Sequence, residues 1–137
     1  IECRIYGMRR GLEKEVVEGN MRYQPFSEDK FIDDLATSRA VIAGGGFTLM
    51  GEAVYLHKPM LAVPLGRQFE QTLNARYLEL EGFGRQAESL DDPKVIHDFL
   101  AAIPSCEEKL AKYEQDGNTK IMRAIDEWLD RAAAGVA

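Results

Sequence analysis

The fold is decided by AGGGFTLMGEA (residues 43–53), in which a glycine-rich turn leads directly into a helical period. The apolar run before it, at 40–44, has the length and the β-branched residues of a buried strand. Glycines in such a turn let the backbone approach a ligand closely and adopt positive φ without a Cβ penalty. The helix start beyond them offers unpaired N–H groups and the positive end of the helix dipole, which together attract anions. The segment predicts a strand–turn–helix unit with an anion site at Gly44, Gly45 and Gly46.

Two polar side chains of the same segment indicate which anion fits. Thr48 supplies a hydroxyl donor at the helix start, and Glu52 follows at i+4, on the same helix face. A carboxylate there repels a phosphate, but it accepts hydrogen bonds from a sugar diol attached to that phosphate. A nucleoside diphosphate with its ribose on Glu52 therefore fits, and a strand–helix connection without a ligand is the alternative. A Walker loop is excluded because Gly-Lys-Ser/Thr does not occur, and Leu49 stands where a dinucleotide fingerprint has glycine or alanine.

A second polar segment, PLGRQFEQTLNA (64–75), follows the next apolar run. The carboxyl ends of parallel strands meet at one edge of a sheet, and open α/β sheets bind ligands at that edge. Glu70 and Gln71 begin the helix that follows, and their carboxylate and amide groups suit the hydroxyls of a sugar. The segment predicts polar residues beside the glycine turn, with an ordinary polar first helical turn as the alternative.

A third segment, RYQPFSE (22–28), is a turn-prone loop that carries the aromatic residues Tyr23 and Phe26. An aromatic ring in this place is suited to stacking on a nucleotide base, and a rim or core aromatic is the alternative. The spacing of His, Cys and acidic residues predicts no metal site and no cofactor, and no nucleophile–base pair is identifiable. The only two cysteines, Cys3 and Cys106, are expected to be buried thiols.

Apolar runs alternate with helical periods along the whole chain, which predicts right-handed βαβ units. The expected fold class is α/β, a Rossmann-like parallel sheet with helices on both faces, in which the strands at 40–43 and 60–64 are parallel and are neighbours or near neighbours. The expected strands lie at 1–7, 21–26, 40–44, 59–66 and 83–89, and the expected helices lie at 28–38, 47–58, 68–81 and 91–103, followed by two tail helices on either side of residues 116–118.

The length and composition suit one domain over 1–137, with 105–133 forming the carboxyl-terminal helices. In the last helix Ile121, Ile125 and Trp128 fall on one stripe, which predicts docking on apolar surface. The formal net charge is −6, so a surface for nucleic acid or for an anionic membrane is not predicted. The absence of a membrane-length apolar run and of a targeting segment predicts a cytoplasmic protein. The chain starts without methionine inside a strand-like run, so we expect a piece of a longer protein.

Taken together, residues 26–84 resemble the carboxyl-terminal, donor-binding half of GT-B glycosyltransferases, above all MurG-like enzymes and a related bacterial and archaeal group, some of them linked to teichoic acid synthesis. The resemblance rests on the glycine turn, on Glu52 seven residues after Gly45, on the strand entry KPMLAVP and on the segment EQTLNA. It implies that the first strand of this half lies upstream. It also implies that the amino-terminal half, which binds the acceptor and supplies the catalytic base, lies upstream as well.

The resemblance also implies roles for the matching residues. Many relatives have His or Ser just before the glycine pair, where this chain has Ala43 and Gly44. The aromatic-x-Pro-Gln base loop of plant-type relatives is represented only by the residues at 23–26. The implied contacts are, for the donor diphosphate, Gly44, Gly45, Gly46 and Thr48; for the ribose, Glu52; for the transferred sugar, Glu70 and Gln71; and for the base, usually uracil, Pro25, Phe26 and Ser27.

The expected function on this resemblance is transfer of a sugar from a nucleoside diphosphate, UDP by preference, to an unknown acceptor in cell-envelope glycan or glycolipid synthesis. No catalytic residue is expected in this chain, which alone should bind the donor weakly and catalyse nothing. Membrane contact is expected only at the periphery of the inner face, if the acceptor is a lipid. Two alternatives stay open. One is a sugar-nucleotide epimerase of the same fold, against which FEQTLNA argues. The other is a non-catalytic donor-binding subunit that needs a partner chain, against which the start inside a strand argues.

Overall fold

The computed structural model of the chain describes residues 1–115 and 118–135. Within these residues, six short strands form two sheets and five helices connect or follow them. In chain order the elements are β1 (Cys3–Ile5), β2 (Val16–Glu18), β3 (Met21–Tyr23), α1 (Glu28–Thr37), β4 (Val41–Ala43), α2 (Phe47–Tyr55), β5 (Met60–Ala62), α3 (Phe69–Leu80), β6 (Gly84–Gln86), α4 (Pro93–Leu110) and α5 (Thr119–Ala133).

Strands β4, β5 and β6 form a parallel sheet with β5 in the centre. Leu61 of β5 pairs with Ile42 of β4 on one side and with Arg85 of β6 on the other. Parallel neighbours need a crossover connection, and α2 and α3 supply the two crossovers. The predicted parallel pairing of residues 40–43 with residues 60–64 is confirmed.

The central strand β5 is buried on both faces, which is why its sequence is an unbroken apolar run. Met60 and Ala62 belong to a core cluster that includes residues of α2 and α3. Leu61 points the other way and packs with Phe99 and Ile103 of α4. Because side chains alternate along a strand, helices cover both faces of this sheet, as predicted.

The amino-terminal sheet has the order β1-β3-β2, with β1 parallel and β2 antiparallel to β3. None of the expected strands covers β2, whose central residue Val17 is exposed and so gives no apolar run or alternation to detect. Gly19, with a φ of 60°, and Asn20 form the two-residue connection to β3. A Gly-Asn pair between two extended segments is a hairpin signature, so the sequence does contain the necessary indication. The hairpin adds one antiparallel pair to sheets that are otherwise parallel.

Helix α4 continues past the position at which the sequence predicts its end. It is a single helix that contains Pro104, whereas the prediction ends one helix near residue 103 and begins a tail helix after it. The buried Cys106 and Leu110 extend the apolar face of α4 beyond the proline, so packing outweighs the backbone hydrogen bond that proline removes. Burial raises the pKa of the Cys106 thiol. The prediction that Cys3 is buried is wrong, since this residue is exposed in β1.

Helix α5 carries the predicted apolar stripe but does not bury it. Ile121, Ile125 and Trp128 are 60%, 46% and 73% exposed, and α5 has no buried residue. The predicted docking is therefore not found in the part of the chain that the structure describes. The residues at 116–117, where the sequence predicts a break before this helix, lie outside the described residues. Among the described helices, none combines the length and the apolar character needed to cross a bilayer.

A network around the Asp34 carboxylate joins α1 to the amino-terminal sheet. Asp34 Oδ1 accepts from Arg4 Nη1 at 2.7 Å, and Oδ2 accepts from the Tyr6 hydroxyl at 2.5 Å and from Lys30 Nζ at 3.0 Å. The Tyr6 ring also packs edge-on against Phe31. Burial alone would raise the pKa of the Asp34 carboxyl, but the bonds from Tyr6 and Lys30 and the charge of Arg4 outweigh it, so this pKa lies below its ordinary value.

Replacing Asp34 with alanine should lower the free energy of unfolding, because Arg4 and Tyr6 then lose their shared acceptor. A hydrogen bond to a charged group contributes about 1.5–3 kcal/mol, and we expect a loss of that order. Since the folded-state pKa of Asp34 is lowered, its stabilisation is present above the ordinary carboxyl pKa of about 4 and disappears as the pH falls through the lowered value. Urea unfolding of the wild type and the variant, at neutral pH and at about pH 3, measures both effects.

The matched control for this measurement is Asp33→Ala, because Asp33 is exposed on the same helix. This control should change the free energy of unfolding by less than about 0.5 kcal/mol. Equal losses in the two variants would show that the network around Asp34 contributes nothing beyond helix propensity.

Candidate functional site

The glycine turn connects the end of β4 to the first turn of α2. Gly46 is the N-cap of α2, with a φ of −65° and a ψ of 133°, and no side chain caps the helix. The N–H groups of the first turn therefore point out of the helix start without a side-chain acceptor, at the positive end of the helix dipole. Thr48 is exposed in this turn and adds a hydroxyl to the backbone donors. Such a set of donors suits an anion.

The structure corrects the reason for the glycines in this turn. Positive φ, which glycine would permit, does not occur at Gly44, Gly45 or Gly46. Gly45 is instead buried against α3, where a Cβ would lie only 2.3 Å from the carbonyl oxygen of Gln71. A Cβ at Gly46 would meet nothing within 4 Å. Packing thus requires glycine at position 45, whereas the space beside Gly46 is open.

Helix α3 holds the glycine turn and the loop after β5 together. Asn74 Nδ2 donates to the carbonyl oxygen of Gly45 at 3.0 Å. Gln71 Oε1 accepts from the backbone N–H of Leu65 at 3.0 Å, and Gln71 Nε2 donates to Gln68 Oε1 at 2.5 Å. The structure therefore brings together the two polar segments that the sequence predicts at one edge of the sheet.

The acidic residues of the site differ in their surroundings. Glu52 is half-buried on α2, one turn beyond Thr48, and Glu70 is exposed in the first turn of α3. Both carboxylates are acceptors, as the hydroxyls of a sugar or a ribose require. In the described parts of the chain, no group of three or more His, Cys, Asp or Glu side chains is arranged to hold a metal ion. The site thus combines backbone N–H donors and the Thr48 hydroxyl with carboxylate acceptors and the amide side chains of α3.

The loop between β5 and α3 contains a strained residue. Arg67 has a φ of 65°, in the left-handed region that costs a non-glycine residue about 1–2 kcal/mol. The bonds that Gln71 makes to Leu65 and Gln68, one on each side of Arg67, hold the loop in this shape. Backbone strain of this kind persists only where the surroundings enforce it.

The base loop predicted at 25–27 lies between β3 and α1. Phe26 is 96% exposed, and Pro25 is half-buried. Ser27 is the N-cap of α1, because its Oγ accepts from the backbone N–H of Lys30 at 3.4 Å. Within the described residues, no hydrogen bond joins this loop to the glycine turn. The hydroxyl of Ser27 is thus already engaged at a helix start, while the ring of Phe26 is open to solvent.

Asn74 and Gln24 belong to segments that the sequence singles out, with Asn74 one turn beyond Glu70, but the contacts of these two residues are not predicted. The contact from Asn74 to Gly45 spans 29 positions, and its acceptor is a backbone carbonyl, which leaves no trace in a side-chain pattern. Gln24 is 3% exposed, its Nε2 donates to Glu15, and its Oε1 is buried without a partner. The only indication for Gln24 is its position between a strand and a proline.

Comparisons with known proteins are consistent with this geometry. The family described as "Glycosyl transferase family 1" matches residues 1–104. A protein of Methanosarcina acetivorans named as an uncharacterized glycosyltransferase is 29% identical over 126 residues, which cover 86% of this chain and 33% of that protein. The UDP-N-acetylglucosamine--N-acetylmuramyl-(pentapeptide) pyrophosphoryl-undecaprenol N-acetylglucosamine transferase 3 of Bacillus cereus is 29% identical over 105 residues, which cover 74% of this chain and 29% of that protein.

A solved structure supports the same assignment at the level of the fold. The glycotransferase of kitacinnamycin matches with a TM-score of 0.58 and 18% sequence identity, over 68% of this chain and 24% of that chain. The likeness confirms the predicted α/β fold of GT-B type. The chain spans about a third of the length of the curated relatives that it matches. Since the family match covers most of its residues, this chain belongs to glycosyl transferase family 1.

Proposed function

We propose that the chain binds the donor in a glycosyltransferase that moves a sugar from a nucleoside diphosphate to an acceptor. The observation that carries the proposal is the uncapped start of α2, which follows the glycine turn at the carboxyl edge of a parallel sheet. Open α/β sheets bind ligands at this edge, and helix starts bind anions. Because the chain belongs to a glycosyltransferase family, we infer that the anion bound at this helix start is the diphosphate of a sugar donor.

The diphosphate is assigned to the backbone of Gly44, Gly45 and Gly46 and to the hydroxyl of Thr48. The ribose diol is assigned to the half-buried carboxylate of Glu52, which lies four positions after Thr48 and on the same face of α2. The open space beside Gly46 supports this arrangement. No protein atom occupies the space beside Gly46, so a phosphate oxygen is able to approach the backbone there.

The transferred sugar is assigned to the first turn of α3. The exposed carboxylate of Glu70 is suited to accept hydrogen bonds from sugar hydroxyls. Gln71 holds the loop through Leu65 and Gln68, and its Nε2 carries a second proton that is suited to a sugar hydroxyl. Glu70 is thus the direct contact in this proposal, and Gln71 both contacts the sugar and shapes the loop beside it.

The base is assigned to the loop at 25–27, with Phe26 as the stacking ring and with Pro25 and Ser27 beside it. The ring of Phe26 is almost fully exposed and so has faces available for a base. Uracil is the base that we propose. The name of the Bacillus cereus relative includes UDP-N-acetylglucosamine, which supports a uridine nucleotide as the first ligand to test.

The chemical step puts negative charge on the departing diphosphate as the glycosidic bond breaks. Donors fixed at the start of α2 stabilise this charge without reorganising, which lowers the barrier. We assign the general base and the acceptor site to the part of the full-length protein outside this chain, which spans about a third of its curated relatives. We further propose a cytoplasmic enzyme of cell-envelope synthesis, at the inner face of the membrane when its acceptor is a lipid.

The test of the function uses the full-length protein with UDP, dTDP, GDP and ADP in calorimetric titrations, followed by incubation with the matching sugar nucleotides and a lipid extract. Release of the nucleoside diphosphate together with a glycosylated lipid supports transfer. Conversion of the donor sugar to its epimer without a glycosylated product supports an epimerase instead. Failure to bind any nucleoside diphosphate contradicts the proposal.

Gly46→Ala should weaken binding of UDP while leaving the fold intact. The new Cβ would meet no protein atom within 4 Å, and a φ of −65° is ordinary for alanine, so the free energy of unfolding should change by less than about 0.5 kcal/mol. The same Cβ would stand in the space assigned to the phosphate, and a loss of about tenfold in affinity corresponds to about 1.4 kcal/mol. Calorimetric titration with UDP and urea unfolding measure the two quantities.

The matched control is Gly51→Ala, since Gly51 is an exposed interior residue of α2 with no atom near its Cβ position. This change should raise the free energy of unfolding by about 0.5–1 kcal/mol and leave the affinity for UDP unchanged. If Gly46→Ala binds UDP as tightly as the wild type, or if Gly51→Ala loses as much affinity, the phosphate does not lie on this turn.

Glu52→Gln in the full-length protein should lower kcat/KM, because one acceptor for the ribose diol becomes a donor. A hydrogen bond to a charged group contributes roughly 1.5–3 kcal/mol, which corresponds to about 10- to 150-fold in kcat/KM. Glu70→Gln should instead alter the preference among donor sugars and leave binding of bare UDP nearly unchanged. Titration of both variants with UDP separates the roles, and an equal loss of UDP affinity in both would contradict them.

A further inference from the structure

We propose that Asn74 is a positioning residue for the diphosphate site, and this inference rests on the function proposed above. Its side-chain amide donates to the carbonyl oxygen of Gly45 at 3.0 Å, from a half-buried place on α3. Nothing in the assignment of the donor to the glycine turn requires this residue to contact the ligand. Its effect is on the backbone of the turn, whose N–H groups are the proposed phosphate donors.

The planar peptide between Gly45 and Gly46 transmits the effect. In a trans peptide the carbonyl of one residue and the N–H of the next point in opposite directions. Because Asn74 holds the carbonyl of Gly45 toward α3, the N–H of Gly46 points away from α3. Gly46 is the N-cap of α2, so this N–H stands beside the first donors of the helix start.

A second contact keeps this peptide from rotating as a whole. Gly45 lies so close to the carbonyl oxygen of Gln71 that a Cβ there would come within 2.3 Å of it. The turn therefore rests on the first turn of α3, and the bond from Asn74 fixes its orientation one turn further along the helix. Without the bond, two glycines in succession allow the peptide to flip with little steric cost. Donors that are fixed before the charge arrives stabilise it without reorganising.

The test compares Asn74→Asp with the wild type in the full-length protein. Aspartate keeps the shape of asparagine, but it has no N–H to donate and its charge repels the carbonyl of Gly45. The control is Arg76→Gln, because it changes the net charge by the same amount on the same helix at an exposed residue. The ligands are the nucleoside diphosphate that binds the wild type most tightly among UDP, dTDP, GDP and ADP, and the nucleoside of the same base.

For Asn74→Asp we expect a loss of about 5- to 100-fold in affinity for the nucleoside diphosphate. We expect less than about a twofold change in affinity for the nucleoside, since the ribose and base contacts do not involve this peptide. Asn74→Ala should show the same selectivity with a smaller loss, and Arg76→Gln should bind both ligands as the wild type does. Thermal unfolding of the ligand-free variants identifies any that fail to fold.

Three results overturn the inference. If Asn74→Asp loses affinity equally for the nucleoside and for the nucleoside diphosphate, Asn74 is a structural residue only. Unchanged binding of the nucleoside diphosphate by a folded Asn74→Asp would remove any role in the site, while the proposed function would stand on the wild-type titration. If the wild type binds no nucleoside diphosphate, the proposed function and the positioning role fail together. If Asn74→Asp loses affinity for the nucleoside diphosphate but keeps its affinity for the nucleoside, the inference is supported.

Discussion

The close approach of the glycine turn to α3 is the contact on which the rest of the site depends. A Cβ at Gly45 would come nearer to the carbonyl oxygen of Gln71 than real Cβ contacts allow, so α3 is able to lie here only because glycine stands at this position. From this distance Asn74 reaches the turn and Gln71 reaches the loop after β5. Helix α3 thus sets the geometry of the glycine turn and of the loop after β5, and the glycine turn in turn orients the start of α2.

The two sheets are stabilised by different interactions. The apolar residues that are buried in the described parts of the chain lie between Leu35 and Leu110, on and around the parallel sheet. None of the strand residues of the amino-terminal sheet is buried, and this sheet relies on charged contacts, in particular the network of Asp34 and the pairing of Arg22 with Glu2. The pairing of Arg22 with Glu2 is exposed and contributes little, and few apolar side chains are buried beside this sheet, so it is expected to open before the parallel sheet even though the Asp34 network stabilises it. The glycine turn and α3 belong to the more stable part.

Much of the fold was predictable because its main determinants are local. Continuous apolar runs indicated β4 and β5, and Ser27 indicated the start of α1, where its hydroxyl caps the helix. The continuation of α4 through Pro104 was not predictable, since it depends on tertiary packing that overrides a helix-breaking residue. The sequence predicted which segments lie together at the site, but it did not predict the contacts that hold these segments in place. A bond from Asn74 to the backbone of Gly45 depends on how two helices meet, and no spacing along the chain encodes it.

The exposed apolar face of α5 favours self-association of this chain at high concentration. This helix follows Leu110, the last buried residue of the described chain, and exposes an apolar face that includes Trp128 and Leu129. Apolar patches on a water-exposed surface drive self-association, so the sedimentation coefficient of the chain should rise with concentration even though each molecule is folded. A hydrophobic dye should bind it without any denaturant, and dye binding alone would then be misread as partial unfolding. Ending an expressed chain between α4 and α5 should remove both effects while leaving the buried core intact.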